Sequence, residues 1–488
     1  MSAGTAMGVV AAIARAEIVL MARSRLAVIG MAALLLLSVI AAATSTVHMA
    51  REQEQRHAHQ HTTDELFRAQ PDRHPHRMVH YGTYAYRPVS ALAAFDPGVD
   101  PFTGTVLYLE GHRQNSATFG AVREETGLMR FGRLTPAFVL QVLAPLLLVF
   151  LGFALVARER ESGTLRQLRL HGAGAGRILA GKGLALALVA GIALLPALAA
   201  LALLVLRSPG ELGAAALVAG AYTLYLLAWV ALITAVSALA RSGRGALITL
   251  VAAWAFIAVL APRGAAELAG HLVPLPTRAE TDLLIQAELR RIGDSHNADD
   301  PFFNSFRERL LAEHGVQRIE DLPFNYRGAL SLEGEALTSR LFDTHAQRMA
   351  DIQRGQRAVV TAAAVLSPAI AVRRISMAGA GTDLEQHLRF LQQGEAHRFA
   401  LVQQLNRIHR DQLTFADDSV RSRDPAAERR TRVAAANWAT IPDFQFQPAD
   451  PAERRAVALP ALAILAVWLG AALLLAGVAA RRLDRGDA

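Results

Sequence analysis

The sequence predicts a mainly α fold: a six-helix transmembrane bundle with two large insertions on one side, the larger mostly helical and the smaller mixed. Three observations carry that prediction. Hydrophobic residues make up 52 % of the 488 but aromatics only 6 %, so Ala, Leu and Val supply the apolar content, as in membrane helices. Six separate runs reach or approach the roughly 20 apolar residues that cross a bilayer core. Arginine clusters fall at every second gap between those runs.

The runs are residues 26–47, 134–156, 183–206, 213–240, 245–262 and 456–480. The fifth is near the short limit and draws on its flanks. Pro145 and Pro196 are tolerated within spans because neighbouring helices satisfy the backbone there. Arg15, Arg23 and Arg25 precede the first run, and Arg241 and Arg244 lie between the fourth and fifth. The gap between the second and third is richer still, with Arg158, Arg160, Arg166, Arg169, Arg177 and Lys182. Arg481, Arg482 and Arg485 follow the sixth. Positive residues in short loops mark the cytoplasmic side. Segments 1–25, 157–182 and 481–488 are therefore expected inside, and 48–133 and 263–455 outside. A leader cleaved after Thr44 is the rival reading of the N-terminus, but its charged head and apolar core are both too long. Residues 8–24 read instead as an amphipathic helix along the inner face, with Arg15, Glu17 and Arg23 at headgroup level.

The smaller insertion begins with a polar helical stretch, 49–69, ending before Pro71. Residues 81–86 alternate like a strand, Asp96-Pro97-Gly98 is turn-forming, and 105–110 reads as a second strand. In the larger insertion, 279–292, 301–314, 332–353, 384–409 and 425–438 show apolar residues at helical spacing. In the fourth of these, Phe390, Leu391, Leu401 and Leu405 share a packing face, leaving Arg389, Glu395 and Arg398 to water. The apolar stretch 358–372, broken by Ser367-Pro368, is too short to span; it is a buried helix or one resting on the outer membrane face.

Composition removes several function classes. With no cysteine there is no disulfide scaffold and no thiolate metal site. The net charge of +8 sits in membrane-flanking loops rather than on a nucleic-acid-binding stripe. There is no H-E-x-x-H and no G-x-S-x-G. Glu110, His112 and Arg113 are close in sequence, but a network holding a loop explains them more simply than acid–base chemistry. Gly176-Arg-Ile-Leu-Ala-Gly181-Lys182 matches most of a phosphate-binding loop, yet Gly183 stands where magnesium needs Ser or Thr. The simpler reading is a Gly-flexed loop with Lys182, the sole lysine, at the membrane interface.

The segment 157–182 holds the densest charge pattern. Arg158, Glu159, Arg160 and Glu161 alternate, Ser162, Gly163 and Thr164 suit a helix start, and Leu165, Leu168 and Leu170 make an apolar ridge. An amphipathic helix of this kind docks in a partner's groove, or else its charges merely hold helix ends in headgroups. The run Glu159-Arg-Glu-Ser-Gly-Thr-Leu165, ending in Gly181-Lys182 before a long apolar helix, resembles the coupling loop of ABC-2 type permeases. The external segments look like a bacterial subgroup that carries a domain of unknown function, DUF3526. Its phrases are His80-Tyr-Gly-Thr-Tyr-Ala-Tyr-Arg-Pro88, Asp96-Pro-Gly-Val-Asp-Pro101, Glu110-Gly-His-Arg-Gln-Asn115 and Ser367-Pro-Ala-Ile-Ala371, with Gly381-Thr-Asp383, Asn437-Trp438 and Pro442.

That resemblance implies an exporter-like permease of the bacterial inner membrane, both termini cytoplasmic and both insertions periplasmic. It further implies a homo- or heterodimer working with two copies of an ABC ATPase, which uses ATP and Mg, while the permease binds no cofactor itself. A periplasmic partner is a further expectation, and the cargo is not named. The coupling residues it assigns are Arg158, Glu159, Arg160, Glu161, Gly163, Thr164, Leu165, Leu168 and Lys182.

The smaller insertion is rich in histidine. On a helix over 49–69, His57, His61 and Glu65 share one face and offer donors for Zn²⁺ or Cu²⁺. Residues spread over two turns converge poorly on one ion, so a polar helix surface is the competing reading. The rival function for the whole chain is a membrane-anchored periplasmic metal-binding or sensor protein without an ATPase.

Overall fold

The computed structural model describes residues 3–118, 133–293 and 300–485. It is 79 % helical and, among the described residues, has one two-stranded sheet, which fixes the class as mainly α. The chain opens with α1 (Ala3–Arg23), separated by Ser24 from α2 (Arg25–Arg68). The Ser24 hydroxyl accepts from the Ala27 N–H at 3.4 Å, a cap that starts the new helix. α2 has 44 residues, a rod of roughly 66 Å. It merges the expected span 26–47 with the polar helix 49–69, because residues 48–68 hold no Gly or Pro to stop it.

α3 (Pro75–Tyr81) follows, then β1 (Thr83–Tyr86) and β2 (Val106–Leu109), antiparallel in the register Thr83↔Leu109 to Tyr86↔Val106. Next come α4 (Pro136–Glu161), α5 (Thr164–Leu170), α6 (Ala175–Arg207), α7 (Leu212–Leu239) and α8 (Gly243–Leu272). The larger insertion contains α9 (Arg278–Ile292), α10 (Pro301–His314), α11 (Tyr326–Ala362), α12 (Pro368–Ala380) and α13 (Leu384–Gln412). The short α14 (Phe415–Val420) and α15 (Pro425–Arg430) lead to α16 (Pro451–Arg485). Among the described residues six helices, α2, α4, α6, α7, α8 and α16, are long and apolar enough to cross a membrane.

Irregularities in the spans have identifiable causes. Pro145 has no N–H for the Gln141 carbonyl four residues back, and α4 runs as a π-turn over Val139–Leu143. The Tyr225 hydroxyl donates to that carbonyl instead, at 2.8 Å. α4 breaks again at 153–156, and the N–H groups of Val156 and Ala157 donate to Ser237 Oγ at 3.0 and 3.4 Å. In α8 a π-turn covers Ala255–Leu260, and the Ser367 hydroxyl donates to the Ile257 carbonyl at 2.6 Å. Ser367 introduces α12, whose Ile370, Ala371, Val372 and Ile375 are buried in the main core with Tyr222 and Trp229 of α7. Within the apolar stretch 358–372 only the part from Ser367 onward is continuously interior, whereas Val365 and Leu366 are 66 % and 59 % exposed. α12 packs tightly on α7: a Cβ on Gly379 would lie 2.5 Å from the Val218 side chain.

The two insertions share cores of their own. Phe67, Met78 and Val79 from the smaller pack with Leu401, Leu405 and Trp438 from the larger. Ala85, Leu107 and Leu109 of the sheet pack with Phe390 and Phe444. Hydrogen bonds run across as well: the Arg73 backbone bridges that of Val433, and the Trp438 indole Nε1 donates to the Pro71 carbonyl at 3.2 Å. These ties end the helix expected over 425–438 at Arg430, after which the chain straightens for the bridge and turns once as a 3₁₀ segment, Ala435–Thr440. The helix over 384–409 forms within α13, but of its expected wet residues only Arg389 keeps substantial exposure. Arg398 is 1 % exposed and Glu395 8 %, because the smaller insertion and α11 cover them.

Candidate functional site

At the bundle end that carries α1, α5 and the C-terminus of α16, α1 crosses the start of α6. A Cβ on Gly181 would stand 2.7 Å from Ile13 Cβ and 2.9 Å from the Val10 carbonyl. Glycine is therefore what allows the two helices to meet this closely. The contact brings Glu17, 3 % exposed, beside Lys182, 1 % exposed. Lys182 Nζ lies 2.6 Å from Glu17 Oε2 and 2.7 Å from Glu159 Oε1, and Arg158 reaches Glu17 Oε1 at 3.3 Å. Two cations and two carboxylates thus lock α1, the end of α4 and the start of α6 together. In such a buried knot each charge depends on its partners, since desolvation penalises any that is left alone.

The other two charges of the run serve a second joint. The Arg160 guanidinium donates to the Ala238 carbonyl at 2.5 Å and to that of Ala240, which are acceptors left over at the end of α7. Glu161 Oε1 accepts from the Gly243 N–H at 3.0 Å, where a carboxylate suits the positive N-terminus of α8. Asp484 of α16 closes a third joint. Its carboxylate accepts from the Ala175 N–H at 3.0 Å, and its carbonyl from Arg169 at 2.8 Å.

α5 sits on these joints. Gly163 precedes it at φ 77°, and no side chain caps its first turn. The Ser162 hydroxyl instead meets Thr164 Oγ1 at 2.6 Å. The expected ridge is divided: Leu165 is buried, Leu168 half-buried, and Leu170 78 % exposed. Thr164, Arg166, Gln167, Leu170 and His171 form the outward face. Gly176–Lys182 is not a loop but the first turns of α6, and its lysine is held by Glu17 and Glu159. The near-match to a phosphate-binding loop therefore has no cradle of free N–H groups.

Of the residues named from sequence, Arg158, Glu159 and Lys182 come together, while Arg160 and Glu161 point to the α7–α8 turn. Glu17 and Asp484 are additions. Glu17 was legible as the sole acid in the first helix, but an interfacial reading put it at the headgroups. His57, His61 and Glu65 do not gather. His61 Nδ1 lies 3.4 Å from Glu65 Oε2 with both side chains mostly exposed, and no metal-type group among the described residues includes the three. From the first to the last, α2 rises by roughly 12 Å, too far for one ion. Glu110 and His112 also part company: Glu110 Oε1 accepts from Asn115 at 3.2 Å and His112 turns to Glu335 at 3.3 Å.

A family model for ABC-2 family transporter proteins matches residues 11–290. The chain belongs to that family. A second model, the domain of unknown function DUF3526, matches residues 279–447. It covers most of the larger insertion, while the smaller one falls within the ABC-2 match. No curated protein matches the sequence. As an ABC-2 family member with six apolar helices, the chain is a multi-pass, transport-related membrane subunit.

Proposed function

We propose that this ABC-2 protein is the permease of an ABC exporter and receives work from a separate ATPase at the face of α5. The observation that carries the reading is the placement of that face. An exposed helix bearing Arg166, Gln167 and Leu170 stands on joints that clamp α1, α4, α6 and α16 and the α7–α8 turn. A push on α5 is therefore passed to most of the bundle at once. The arginine clusters support a cytoplasmic location for this end and for both termini, in the inner membrane of a bacterium, with the insertions periplasmic. Family membership supports two ATPase copies, which use ATP and Mg, and a second permease protomer, identical or not.

The output follows from α2. One rod carries the first span and then Arg56, Gln60 and Phe67, which bind or pack against the external unit. Movement of the span displaces that unit, either to open a path for cargo or to act on a periplasmic partner.

The test is affinity purification of the tagged full-length chain from its native membranes. An ABC ATPase is expected to come down with it. Arg166→Glu combined with Leu170→Glu, both on the outward face, should cut recovery about tenfold or more, the usual effect of losing an interface hot spot. Glu159, Glu161 and Leu165 are poorer probes, because they hold the fold. If the wild-type chain recovers no ATPase, the transporter reading fails and the membrane-anchored sensor takes its place.

A further inference from the structure

A group of histidines collects where α3, the turn after β2 and α13 meet. His76 and His80 stand one turn apart on α3 with their Nε2 atoms 3.2 Å apart. The His112 ring lies 5.3 Å from that of His80 and 5.7 Å from that of His76. One coordinating atom from each of the three lies within 4.8 Å of the others. A tetrahedral ion with nitrogen ligands at about 2.0–2.1 Å holds them about 3.3 Å apart, which the His76–His80 pair already matches.

His112 is specially held. It is the one non-glycine among the described residues with positive φ, 64°, a conformation retained only where its surroundings enforce it. Glu335 supplies that enforcement: Oε2 accepts the His112 backbone N–H at 3.1 Å and lies 3.3 Å from Nδ1. Glu335 is in turn fixed by Arg398 at 2.5 Å and Ser339 at 3.3 Å. A carboxylate on Nδ1 puts the imidazole lone pair on Nε2 and orients the ring, which is how metal-binding histidines are commonly supported.

A neighbouring group, His74, His409 and Asp418, has similar spacing but a different character. Asp418 accepts from His74 at 3.1 Å, His409 at 2.8 Å, Asn325 at 3.2 Å and Arg421 at 2.9 Å, and the residue is wholly buried. That carboxylate is saturated by donors and has no entrance for an ion. His80 is exposed and gives the first group one.

We propose that His76, His80 and His112 bind one divalent transition-metal ion of the imidazole-preferring class, Zn²⁺ or Cu²⁺, with Glu335 orienting His112. Three ligands leave a tetrahedral ion one position for water or an incoming ligand. Three imidazoles make the protein's donor set all-nitrogen, suited to these two ions rather than to Mg²⁺ or Ca²⁺.

The experiment uses the full-length chain in detergent, stripped with a chelator and titrated with Zn²⁺ or Cu²⁺ against a chromophoric competitor. One ion per chain at micromolar affinity or tighter is expected. His76→Ala with His80→Ala should weaken binding at least about 100-fold, and Glu335→Gln about 10–100-fold. His57→Ala with His61→Ala should leave it unchanged. Metal should also raise the thermal midpoint of the wild type but not of the His76/His80 variant, whose metal-free midpoint reports whether it is folded. No binding at micromolar Zn²⁺ and Cu²⁺, or equal binding by the wild type and a folded His76/His80 variant, overturns the proposal.

Discussion

Replacing Lys182 with methionine is expected to release α1 from the bundle. Lys182 is 1 % exposed and lies 2.6 Å from Glu17 and 2.7 Å from Glu159. Without it those carboxylates face each other, with only Arg158, whose side chain is 55 % exposed, to offset them. Breaking a buried pair by removing one partner costs about 3–5 kcal/mol. Glu17 escapes the penalty most simply if α1 lifts and lets it reach water. The chain has no cysteine, so Ala14→Cys gives a single reporter on the packed face of α1, where Ala14 is 4 % exposed. Ala14→Cys should resist a thiol reagent in an otherwise wild-type chain and react readily with Lys182→Met. Adding Glu17→Gln removes the stranded carboxylate and should restore much of the protection. Equal labelling with and without Lys182 would show that the knot does not hold α1.

The spans and the sheet were legible because they rest on local patterns. Residues 183–206 announce a span by apolar length alone, 81–86 announce a strand by alternation, and 105–110 read as a second strand from a short apolar, β-prone run. What could not be read depended on partners distant in sequence. Arg398 looks wet on a helical wheel, yet it is buried because Glu335, sixty-three residues away, and the Glu110 carbonyl come to meet it. Lys182 looks like a headgroup residue until Gly181 admits α1 and brings Glu17 alongside. The histidines show the same limit. His57 and His61 share a helix face by spacing, whereas His76, His80 and His112 need the β1–β2 pairing and α3 to assemble.

Continuity of α2 beyond its apolar part sets how the two insertions are held. Reading 26–47 and 49–69 as separate elements suggests a flexible joint at the surface. A single 44-residue α2 replaces that joint with a rod. At the far end of the bundle Arg454 of α16 completes the frame, donating to Glu211 at 2.5 Å and to the Gly379 carbonyl of α12 at 2.9 Å. The unit formed by the two insertions is thus fixed to the first and sixth spans and to the α6–α7 turn.

Replacing Arg398 with leucine should destabilise the unit formed by the two insertions most of all. Its guanidinium donates to Glu335 at 2.5 Å, to Glu395 at 2.7 and 2.8 Å, to Ser339 at 2.7 Å and to the Glu110 carbonyl at 3.2 Å. Leucine fills part of the space but strands two buried carboxylates and a carbonyl, for about 3–5 kcal/mol. For a unit of this size that lowers the thermal midpoint by about 6–20 °C at neutral pH. Lysine is a poor rescue, because one ammonium cannot match the fork between two carboxylates. Acid separates this cause from a simple packing defect. In the wild type burial pushes Glu335 upward, but His112 and Arg398 outweigh it and hold the carboxyl at about 2, below its usual 4.5. That contribution to stability is full above pH 4.5 and is lost as pH falls towards 2. Without Arg398 burial raises Glu335, as it already raises Glu395, so the variant gains stability as those groups protonate. The gap between the two midpoints should therefore narrow steadily from pH 7 to pH 4. A gap that stays constant over this range would mean that lost packing, not stranded charge, governs the change.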